Sequence, residues 1–410
     1  MTEGPYKLPE GWRWVKLGEV CDHKTGIWGS EASLDRGFPI VRSTEIVDYR
    51  VIPATAVVRE VPPEKAMQYK LEPGDILVNK SSGSPHLVGW PAIFEDPADG
   101  RIYLFSNFML RLRPQRDRVD PWFLLFWLHS PIARSIYLAA QDTTSGLRNL
   151  RVREFISLPI PLPPLPEQQR IVARIEELMA RVREARRLRQ EAKEDAERLW
   201  QSVLAETFPR PTASLPEGWR WVRLGEVAHR RAVTLKPSDY PDSTFSYIGM
   251  EHITPGQWEQ PIPVTMLGCE IKSQVVKFWP GLVLYGKLRP YLNKVVVPTF
   301  EGVASTEFVP IEVDTSLLSP AYLGAFLRSP SFVAYANRNI TGSRQPRVRL
   351  DALWNALIPL PPLPEQRRIV ARLEAVRERI QTLKKAQDET ETHLKELERS
   401  ILDKAFRGEL

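Results

Sequence analysis

The chain has 410 residues, of which 43% are hydrophobic and 26% are charged, and its formal net charge is +6. This length and composition predict a globular protein of two or three domains, and no apolar run reaches the ~18 residues that a membrane-spanning helix needs. The first residues lack a basic stretch followed by an apolar one, so we expect a cytoplasmic protein without a signal peptide. The positive charge permits a polyanionic partner but does not require one.

A segment near the N-terminus is repeated in the second half of the chain. Residues 8–20, LPEGWRWVKLGEV, return at 215–227 with one Lys-to-Arg change, and residues 161–168, PLPPLPEQ, return at 359–366. The two offsets, 207 and 198 residues, are far longer than the period of a solenoid repeat. The chain is therefore a large duplicated unit. Because the halves diverge strongly between the repeated segments, we expect two readers of different targets built on one frame.

Short apolar, strand-like runs lie at matching places in both halves. Residues 38–42 match 245–249, and residues 73–78 match 280–285, the second pair beginning with a Pro-Gly turn. Because the offset shrinks from 207 to 198, nine residues are missing from the second half, mostly opposite residues 79–142 of the first. Length changes concentrate in surface loops, where binding residues are also found.

Long helices are predicted after each proline-rich segment, at residues 167–207 and 365–410. Proline suits the first helical position, and the next proline after Pro166 is Pro209. Both helices keep apolar residues in a 3.5-residue period, which is the coiled-coil signature. In the first helix the register is Ile171, Ile175, Leu178, Val182, Ala185, Arg189, Ala192, Ala196, Leu199 and Val203. In the second it is Ile369, Leu373, Val376, Ile380, Leu383, Gln387, Thr390, Leu394, Leu397 and Ile401.

The predicted fold is α+β. Two tandem, related β-rich domains, residues 1–166 and 208–364, are each followed by one long helix, and the helices pair as an antiparallel coiled coil. Arg189, Gln387 and Thr390 are polar residues at core positions, which we interpret either as pins of the helix register or as solvated residues. The alternative fold has two amphipathic helices that lie separately on the two domains.

Motifs of catalytic sites are missing from the sequence. It contains no phosphate-binding loop, no zinc-protease motif, no nucleophile elbow and no dinucleotide fingerprint, and its six histidines are scattered. Asp75 follows a turn, but Leu282 stands at its counterpart, so the two halves share no catalytic acid there. Cys21 and Cys269 are expected to be buried, inert thiols. The sequence predicts a binding protein rather than an enzyme.

The repeated motifs resemble the DNA specificity subunit of type I restriction-modification enzymes. The resemblance rests on the LPxGWxWxxLGEV segments, the PGDIL strand at 73–77, the YGKLRPYLNK segment at 285–294 and the IPLPPLPEQxRIV segments before the long helices. It extends over essentially the whole chain, in order and in duplicate.

This resemblance implies a non-catalytic subunit that binds double-stranded DNA. Each β-rich domain would be a target recognition domain for one half of a split, asymmetric sequence. The paired helices would be a spacer and the docking surface for two methyltransferase (modification) subunits. Those subunits would bind S-adenosylmethionine and methylate adenine, while motor-nuclease (restriction) subunits would use ATP and Mg²⁺. This chain itself is expected to hold no cofactor.

Candidate DNA contacts are polar and basic residues in the loops that differ between the halves. Lys supplies phosphate contacts, and Arg, Asn and Gln make bidentate contacts to bases. In the first half the candidates are Arg42, Asn79, Lys80, Ser81, Ser82, Ser145, Arg148 and Asn149. In the second half they are Lys287, Arg289, Tyr291, Asn293, Lys294, Ser343, Arg344 and Gln345. The alternative is that these loops are simply solvated. Trp12, Trp14, Trp219 and Trp221 are identical in both halves and are therefore expected to be packing anchors rather than readers.

The residues alone leave two other functions open. The chain could serve a methylation-only enzyme that lacks the nuclease. It could also be a structural scaffold in which two β-rich domains on a coiled coil hold other proteins together. Salt dependence separates a DNA reader from such a scaffold, since only the reader releases counterions on binding. A self-sufficient nuclease is disfavoured because the sequence shows no cluster of metal-binding carboxylates.

Overall fold

The computed structural model describes residues 4–84, 86–139, 141–144, 147–211, 213–256 and 258–410. The chain divides into two compact units: unit 1 comprises Met1–Leu188 and Glu389–Leu410, and unit 2 comprises Arg189–Asp388. This division cuts both long helices. Each unit therefore contains one β-rich domain and part of each helix, while along the sequence each β-rich domain is followed by one long helix.

Unit 1 combines short helices with sheets. Its strands are β1 (Arg13–Lys16), β2 (Cys21–Thr25), β3 (Ser30–Glu31), β4 (Phe38–Val41), β5 (Ile46–Val47), β6 (Arg50–Val51), β7 (Val57–Glu60), β8 (Ile76–Asn79), β9 (Ser81–Ser82), β10 (Pro91–Phe94), β11 (Leu104–Phe105), β12 (Met109–Pro114), β13 (Gln141–Thr144), β14 (Leu147–Leu150) and β15 (Pro159–Leu162). Its helices are α1 (Leu17–Val20), α2 (Pro63–Gln68), α3 (Pro121–His129), α4 (Pro131–Ala139), α5 (Val152–Ile156) and the start of α6 (Leu165–Thr207). Over the described residues, the larger sheets have the strand orders β2-β12-β8-β10-β6-β5, β11-β4-β7-β3 and β13-β14-β9.

Unit 2 repeats this plan with different loop lengths. Its strands are β16 (Arg220–Arg223), β17 (Ala228–Arg230), β18 (Thr234–Leu235), β19 (Thr244–Ile248), β20 (Val264–Leu267), β21 (Val275–Phe278), β22 (Leu282–Gly286), β23 (Val295–Val296), β24 (Gly302–Ser305), β25 (Phe308–Val313), β26 (Ile340–Thr341), β27 (Arg347–Val348) and β28 (Leu357–Leu360). Its helices are α7 (Leu224–Val227), α8 (Pro320–Leu327), α9 (Pro330–Arg338), α10 (Leu350–Asn355) and the start of α11 (Leu363–Arg407). The described strands form sheets in the orders β17-β25-β22-β23, β18-β21-β24-β19-β20 and β26-β27.

The two repeated sequence segments pair with each other in each unit. In unit 1, β1 lies antiparallel to β15, with Arg13 opposite Leu162. In unit 2, β16 lies antiparallel to β28, with Arg220 opposite Leu360. The strand that begins each β-rich domain is therefore joined to the strand that leads into a long helix.

A fully buried glutamine ties each of these strand pairs to the helical layer. The Gln168 amide N–H groups donate to the backbone oxygens of Arg118 and Pro163 at 3.0 and 2.9 Å, and its side-chain oxygen accepts from the Asp120 N–H at 2.8 Å. Gln366 makes the same three bonds in unit 2, to Leu317, Pro361 and Ser319. The glutamine thereby fixes the first turn of each long helix against the start of α3 or α8.

These two helices form the centres of the cores. α3 is buried from Phe123 to His129, and α8 is buried from Tyr322 to Leu327. A helix that is apolar on all sides is stable only when it is covered on all sides. α3 accordingly lies against β10, and α8 lies against β22.

The long helices run antiparallel within unit 1. Near the start of α6, Arg170 donates to the backbone oxygen of Leu410 at 3.0 Å. Further along α6, Arg186 pairs with Glu398 at 2.7 Å and with Glu391 at 3.2 Å. Residue numbers therefore rise along α6 as they fall along α11.

The same direction holds within unit 2. Arg189 of α6 donates to the backbone oxygen of Gln387, and Glu197 pairs with Lys384 at 2.7 Å. The predicted antiparallel pairing of the helices is thus confirmed inside each unit. Arg189 and Gln387, two of the polar core positions, are in direct contact with each other.

The predicted heptad register is buried only in part. Ile171, Ile175, Val182, Ile369, Leu373 and Ile380 are buried as predicted. Leu199, Leu383 and Leu397 are 55%, 42% and 48% exposed, so the prediction that they fill a continuous seam is wrong. The reason is that the helices also pack on the β-rich domains through residues outside that register. These residues include Met179, Trp200, Leu204 and Leu402.

The end of each long helix inserts an aromatic ring into a helical layer. In unit 1 the Phe406 ring centroid lies 5.2 Å from that of Phe123 and 5.1 Å from that of Trp127. In unit 2 the Phe208 ring lies 5.5 Å from Tyr322 and 5.7 Å from Phe326. The end of α11 therefore does in unit 1 what the end of α6 does in unit 2.

Several single residues can be compared with their predicted environments. Trp12, Trp14 and Trp219 pack against the cores, which confirms that they are packing anchors. Cys21 is buried as predicted, and burial raises the pKa of its thiol. Cys269 is exposed, contrary to the prediction, because it lies in a surface turn just after β20. Among the described residues, no helix combines the length and apolar character needed to cross a bilayer.

We predict that Gln366→Leu destabilises unit 2. The change removes three hydrogen bonds and leaves buried backbone groups unpaired, and one such group costs about 1–3 kcal/mol. The measurement is hydrogen exchange of the α8 and β28 amides together with the denaturant midpoint. Gln190→Leu is the matched control, since Gln190 is exposed on α6 and its side chain donates to Glu194 on the same helix. Equal midpoints for the two variants would contradict the role given to Gln366.

Candidate nucleic-acid interface

One lysine occupies the same backbone position in both units. The Lys80 N–H donates to the Phe108 carbonyl at 2.8 Å, and the Lys80 carbonyl accepts from the Leu150 N–H at 2.8 Å. Lys287 makes the corresponding bonds in unit 2, with Glu307 at 3.0 Å and Val348 at 2.9 Å. These bonds bring loops that are distant in sequence together around each lysine.

We name these loops by the position that they share. The lysine loop is 79–84 in unit 1 and 286–294 in unit 2, and the tight turn is 106–108 and 305–307. The basic hairpin is 141–144 with 147–150 in unit 1 and 340–348 in unit 2, and the capped turn is 42–45 and 249–252. The lysine loop and the basic hairpin are the two clusters that the sequence singled out. The structure adds the tight turn to them.

In unit 1 the lysine loop and the basic hairpin are joined by strand pairing. β9 lies antiparallel to β14, with Ser81 opposite Asn149 and Ser82 opposite Arg148. The Ser81 hydroxyl also donates to the Asn149 amide oxygen at 2.6 Å. Ser81 and Ser82 are therefore neighbours of Arg148 and Asn149, although more than sixty residues separate the two pairs in sequence.

In unit 2 the same two loops meet at equivalent positions. Leu288 forms a β-bridge with Arg347, and the Arg289 N–H donates to the Pro346 carbonyl at 2.7 Å. Leu288 and Arg347 occupy the places that Ser81 and Asn149 hold in unit 1. The frame of the site is thus repeated, while the side chains on it differ.

The lysine loop of unit 2 carries unusual backbone angles. Arg289 and Asn293 have φ of 51° and 49°, on either side of the short turn Pro290–Leu292. Left-handed backbone in non-glycine residues is strained, and such strain clusters at binding sites. The turn presents Tyr291, which is 55% exposed, and leaves the Arg289 side chain at the surface.

Other predicted contacts of this loop bond to backbone carbonyls. Lys287 Nζ donates to Thr306 at 2.9 Å, Lys294 Nζ to Met250 at 2.6 Å, and Asn293 Nδ2 to Arg328 at 3.0 Å. Gly286 is required beside them, since a Cβ there would lie 2.9 Å from the Lys294 carbonyl oxygen. These side chains fasten the loop to the capped turn, the tight turn and α8, so that Arg289 and Tyr291 are held at a defined place.

The capped turn and the tight turn lie at the same edge of a sheet. β4 is parallel to β11, and β19 is parallel to β24, so both turns follow the carboxyl ends of neighbouring strands. In unit 1 the buried Glu45 carboxylate accepts from the Arg42 backbone N–H at 2.7 Å and from its guanidinium at 2.8 Å. The predicted contact Arg42 is therefore engaged with Glu45, whose pKa these hydrogen bonds lower against the opposing effect of burial.

The remaining predicted contacts differ in exposure. Arg148, Ser343, Arg344 and Gln345 are exposed, and Lys80 is half-buried, which lowers its pKa. Asn79 is 2% exposed because it is the last residue of β8, a strand in the interior of its sheet. Its side-chain oxygen has no hydrogen-bond partner in the described structure. Its burial argues against direct contact with DNA. Ser145 lies outside the described residues.

Sequence reasoning missed the tight turn. Phe108 of unit 1 is 51% exposed, and at the same position in unit 2 Glu307 pairs with Arg347, the guanidinium Nη2 lying 2.7 Å from Oε1 and Nε 3.0 Å from Oε2. That hydrogen bonding lowers the pKa of the Glu307 carboxyl, with Lys287 contributing. A signal was present, since the SNF and STE sequences both stand just before a matched strand, but neither contains a cluster of cations. Within the described residues, no group of three or more His, Cys, Asp or Glu is placed to hold a metal ion.

Comparison with known proteins gives one consistent family. The family described as type I restriction modification DNA specificity domain matches residues 9–194 and 216–392. The Escherichia coli type I restriction enzyme EcoDI specificity subunit is 24% identical over 98% of this chain and 90% of its own length.

Solved structures agree. The HsdS subunit from Thermoanaerobacter tengcongensis is 33% identical, with all of both chains covered and a TM-score of 0.61. A chain from a structure on complex assembly and conformational transition of the type I R-M system is 32% identical, with 99% of this chain and 100% of that chain covered and a TM-score of 0.77. The duplicated frame, the loops clustered around a shared lysine and these matches lead to one conclusion: the chain belongs to the family of type I restriction-modification DNA specificity subunits.

Proposed function

We propose that this chain binds double-stranded DNA at a bipartite, asymmetric target, unit 1 reading one half-site and unit 2 reading the other. The observation that carries the proposal is one loop frame with two sets of side chains. A lysine common to both units suits phosphate contacts, which carry no sequence information. The side chains that differ between the units suit the reading of base edges.

The differing positions have the chemistry of base readout. Unit 1 offers Ser82, Arg148 and Asn149, and unit 2 offers Arg289 and Arg344. Arginine contacts guanine O6 and N7 with two donors, and asparagine matches adenine N6 and N7. Two such sets on one frame have no evident use in a scaffold that only holds proteins together.

Two copies of one methylating partner would bind to the paired helices. Each unit has an apolar groove there, and the residues lining one are 198 positions from those lining the other. The groove of unit 1 is lined by Leu178, Val182, Ala185, Leu394, Leu397 and Ile401. The groove of unit 2 is lined by Val376, Ile380, Leu383, Ala196, Leu199 and Val203. Equivalent grooves fit equivalent partner helices laid into them.

In this proposal the chain chooses the site and its partners act on it. The methylating subunits carry S-adenosylmethionine, and restriction subunits carry ATP and Mg²⁺. The same reading of DNA serves a methylation-only enzyme, in which the restriction subunit is absent.

The decisive experiment is methylation mapping in cells that express the full chain with its methylating partner. We expect one methylated motif made of two different half-sites with a gap between them. The purified complex should also lose affinity steeply as salt rises, because bound cations are released from the phosphates. A complex that leaves the methylome unchanged and whose binding does not respond to salt would favour the protein scaffold.

Arg289→Ala is predicted to relax the second half-site alone. If Arg289 makes a bidentate contact to guanine, its loss costs about 1–3 kcal/mol of discrimination at one base pair. The measurement is competition binding with duplexes mutated at each position of each half-site. Arg231→Ala is the control, since Arg231 is exposed in unit 2 outside the named loops. Equal weakening on all duplexes would make Arg289 a phosphate contact instead.

Leu199→Asp is predicted to abolish one of the two partner sites. A charge in the groove of unit 2 opposes an apolar helix, while the groove of unit 1 is untouched. Native mass spectrometry should then show one methylating subunit per chain, and none when Leu397→Asp is added. Leu188→Asp is the control, because Leu188 is 52% exposed on α6 but lines neither groove. Two methylating subunits bound to the double variant would show that the docking surface lies outside these helix grooves.

A further inference from the structure

We propose that the tight turn reads one pyrimidine in each half-site: Phe108 contacts the methyl group of a thymine, and Glu307 accepts a hydrogen bond from the amino group of a cytosine. This inference rests on the proposed function and assigns two residues that the sequence did not single out. Phe108 and Glu307 hold the same structural position, so a single turn would give the two units different base preferences.

Backbone hydrogen bonds join the tight turn to the other loops of the candidate interface. Its third residue accepts from the backbone of the shared lysine in both units, Lys80 or Lys287. Its first residue directly follows β11 in unit 1 and is the last residue of β24 in unit 2, and both strands are parallel to the strand before the capped turn. In unit 1 the Ser106 N–H donates to the Val41 carbonyl at 2.8 Å. The tip of the turn therefore lies between the lysine loop and the capped turn.

The turn is also rigid in the same way in both units. The Phe108 N–H donates to the Ser106 hydroxyl at 3.2 Å, and the Glu307 N–H donates to the Ser305 hydroxyl at 3.3 Å. A serine that bonds the backbone two residues ahead is a recognised turn former. The third side chain is consequently presented from a fixed backbone, which a reader of base edges needs.

Phe108 leaves half of a large apolar side chain in water beside polar loops. Covering an apolar ring that is exposed on a fixed turn is favourable, because it removes apolar surface from water. Among base edges in the major groove, the apolar group is the thymine 5-methyl. The neighbouring Lys80, Ser82 and Arg148 supply the polar contacts around it, so the ring adds what these residues lack.

Glu307 places a carboxylate where DNA phosphates would approach. Arg347 offsets that charge through two nitrogen atoms, and Lys287 lies close enough to lower the carboxyl pKa further. An ionised carboxylate only accepts hydrogen bonds, and its oxygens keep lone pairs beyond those that Arg347 uses. Among base edges, the cytosine amino group is the donor that glutamate reads.

The Glu307–Arg347 pair is not needed for the fold. Unit 1 builds the same turn and the same hairpin contact with Phe108 and Asn149 at these two positions. The pair is therefore present in unit 2 and absent from unit 1, although both units have the same loop. This is what we expect of a side-chain pair that serves recognition.

The test for Glu307 compares Glu307→Gln with Glu312→Gln in the full complex. Glu312 lies at the far end of β25 and pairs with His229, so it is a matched carboxylate outside the named loops. Once the motif of the unchanged complex is mapped, competition binding uses duplexes in which each C·G pair of the second half-site becomes T·A. We expect Glu307→Gln, but not Glu312→Gln, to lose a preference of about 5- to 150-fold at one C·G pair. Arg347→Ala should reduce the preference at that same pair, with no further loss in the double variant, because Arg347 acts through Glu307.

The test for Phe108 removes only the methyl group from DNA. Each thymine of the first half-site is replaced in turn by deoxyuridine. The unchanged complex should bind one of these duplexes about 4-fold more weakly, the value of one buried methyl-sized group, whereas Phe108→Ala should bind it no differently from the thymine duplex. Met67→Ala, which shortens another exposed side chain of unit 1, should behave like the unchanged complex.

The outcomes separate this inference from the proposed function. If the unchanged complex methylates no bipartite motif, the proposed function fails first. If it does, and Glu307→Gln keeps every preference or loses one at an A·T pair, the cytosine contact is wrong. A Phe108→Ala variant that still discriminates against deoxyuridine overturns the thymine contact. If Phe108→Ala instead weakens binding equally on every duplex, the ring acts as a wedge between bases.

Discussion

A side-chain amide that is buried and fully bonded sets the geometry of each unit. Gln168 and Gln366 each bridge the proline-rich strand and the residue before α3 or α8 through three hydrogen bonds. A buried polar group is stable only with its partners in place, so the glutamine admits one arrangement of strand and helix. That arrangement determines where the domain ends and where the long helix begins.

The lysine loops depend on this frame at a distance. In each unit the repeated strand pair and helix α3 or α8 pack on the sheet that contains β8 or β22. These two strands lead into the lysine loops. Around the shared lysine the backbone bonds are the same in both units, while the side chains are free to differ. The packing and the backbone hydrogen bonds are thus the same in both units, and the side chains at the loop tips differ between them.

Much of this division was visible in the sequence. The repeated segments, the strands after the Pro-Gly turns and the long helices were predictable because they carry apolar periodicity or exact repetition. The joining of Ser81 to Asn149 was not predictable, since it depends on strand pairing across more than sixty residues. The burial of Asn79 was missed for a similar reason: polarity in the sequence suggested exposure, and only the sheet order shows that β8 is central.

The helices show where periodicity misleads. A heptad pattern predicted a single seam, but Leu199 and Leu397 face outward because the helices must also cover α3, α8 and the strands beside them. A repeated pattern of apolar residues records every surface that a helix covers, and it does not say which partner covers which residue. The division of both helices between the two units is likewise a tertiary property with no local signal.

The pairing of the two repeated segments has a genetic consequence. The loops that differ between the two β-rich domains lie between a first strand and a last strand whose sequences are nearly the same in both. Homologous recombination between genes of this kind would exchange the intervening stretch as a cassette, with both crossover points inside strands that pair in the same way afterwards. The exchanged segment would then bring its own loops, and its first and last strands would pair as they did before the exchange. If the proposed function holds, a change of specificity would require no change of fold in this architecture.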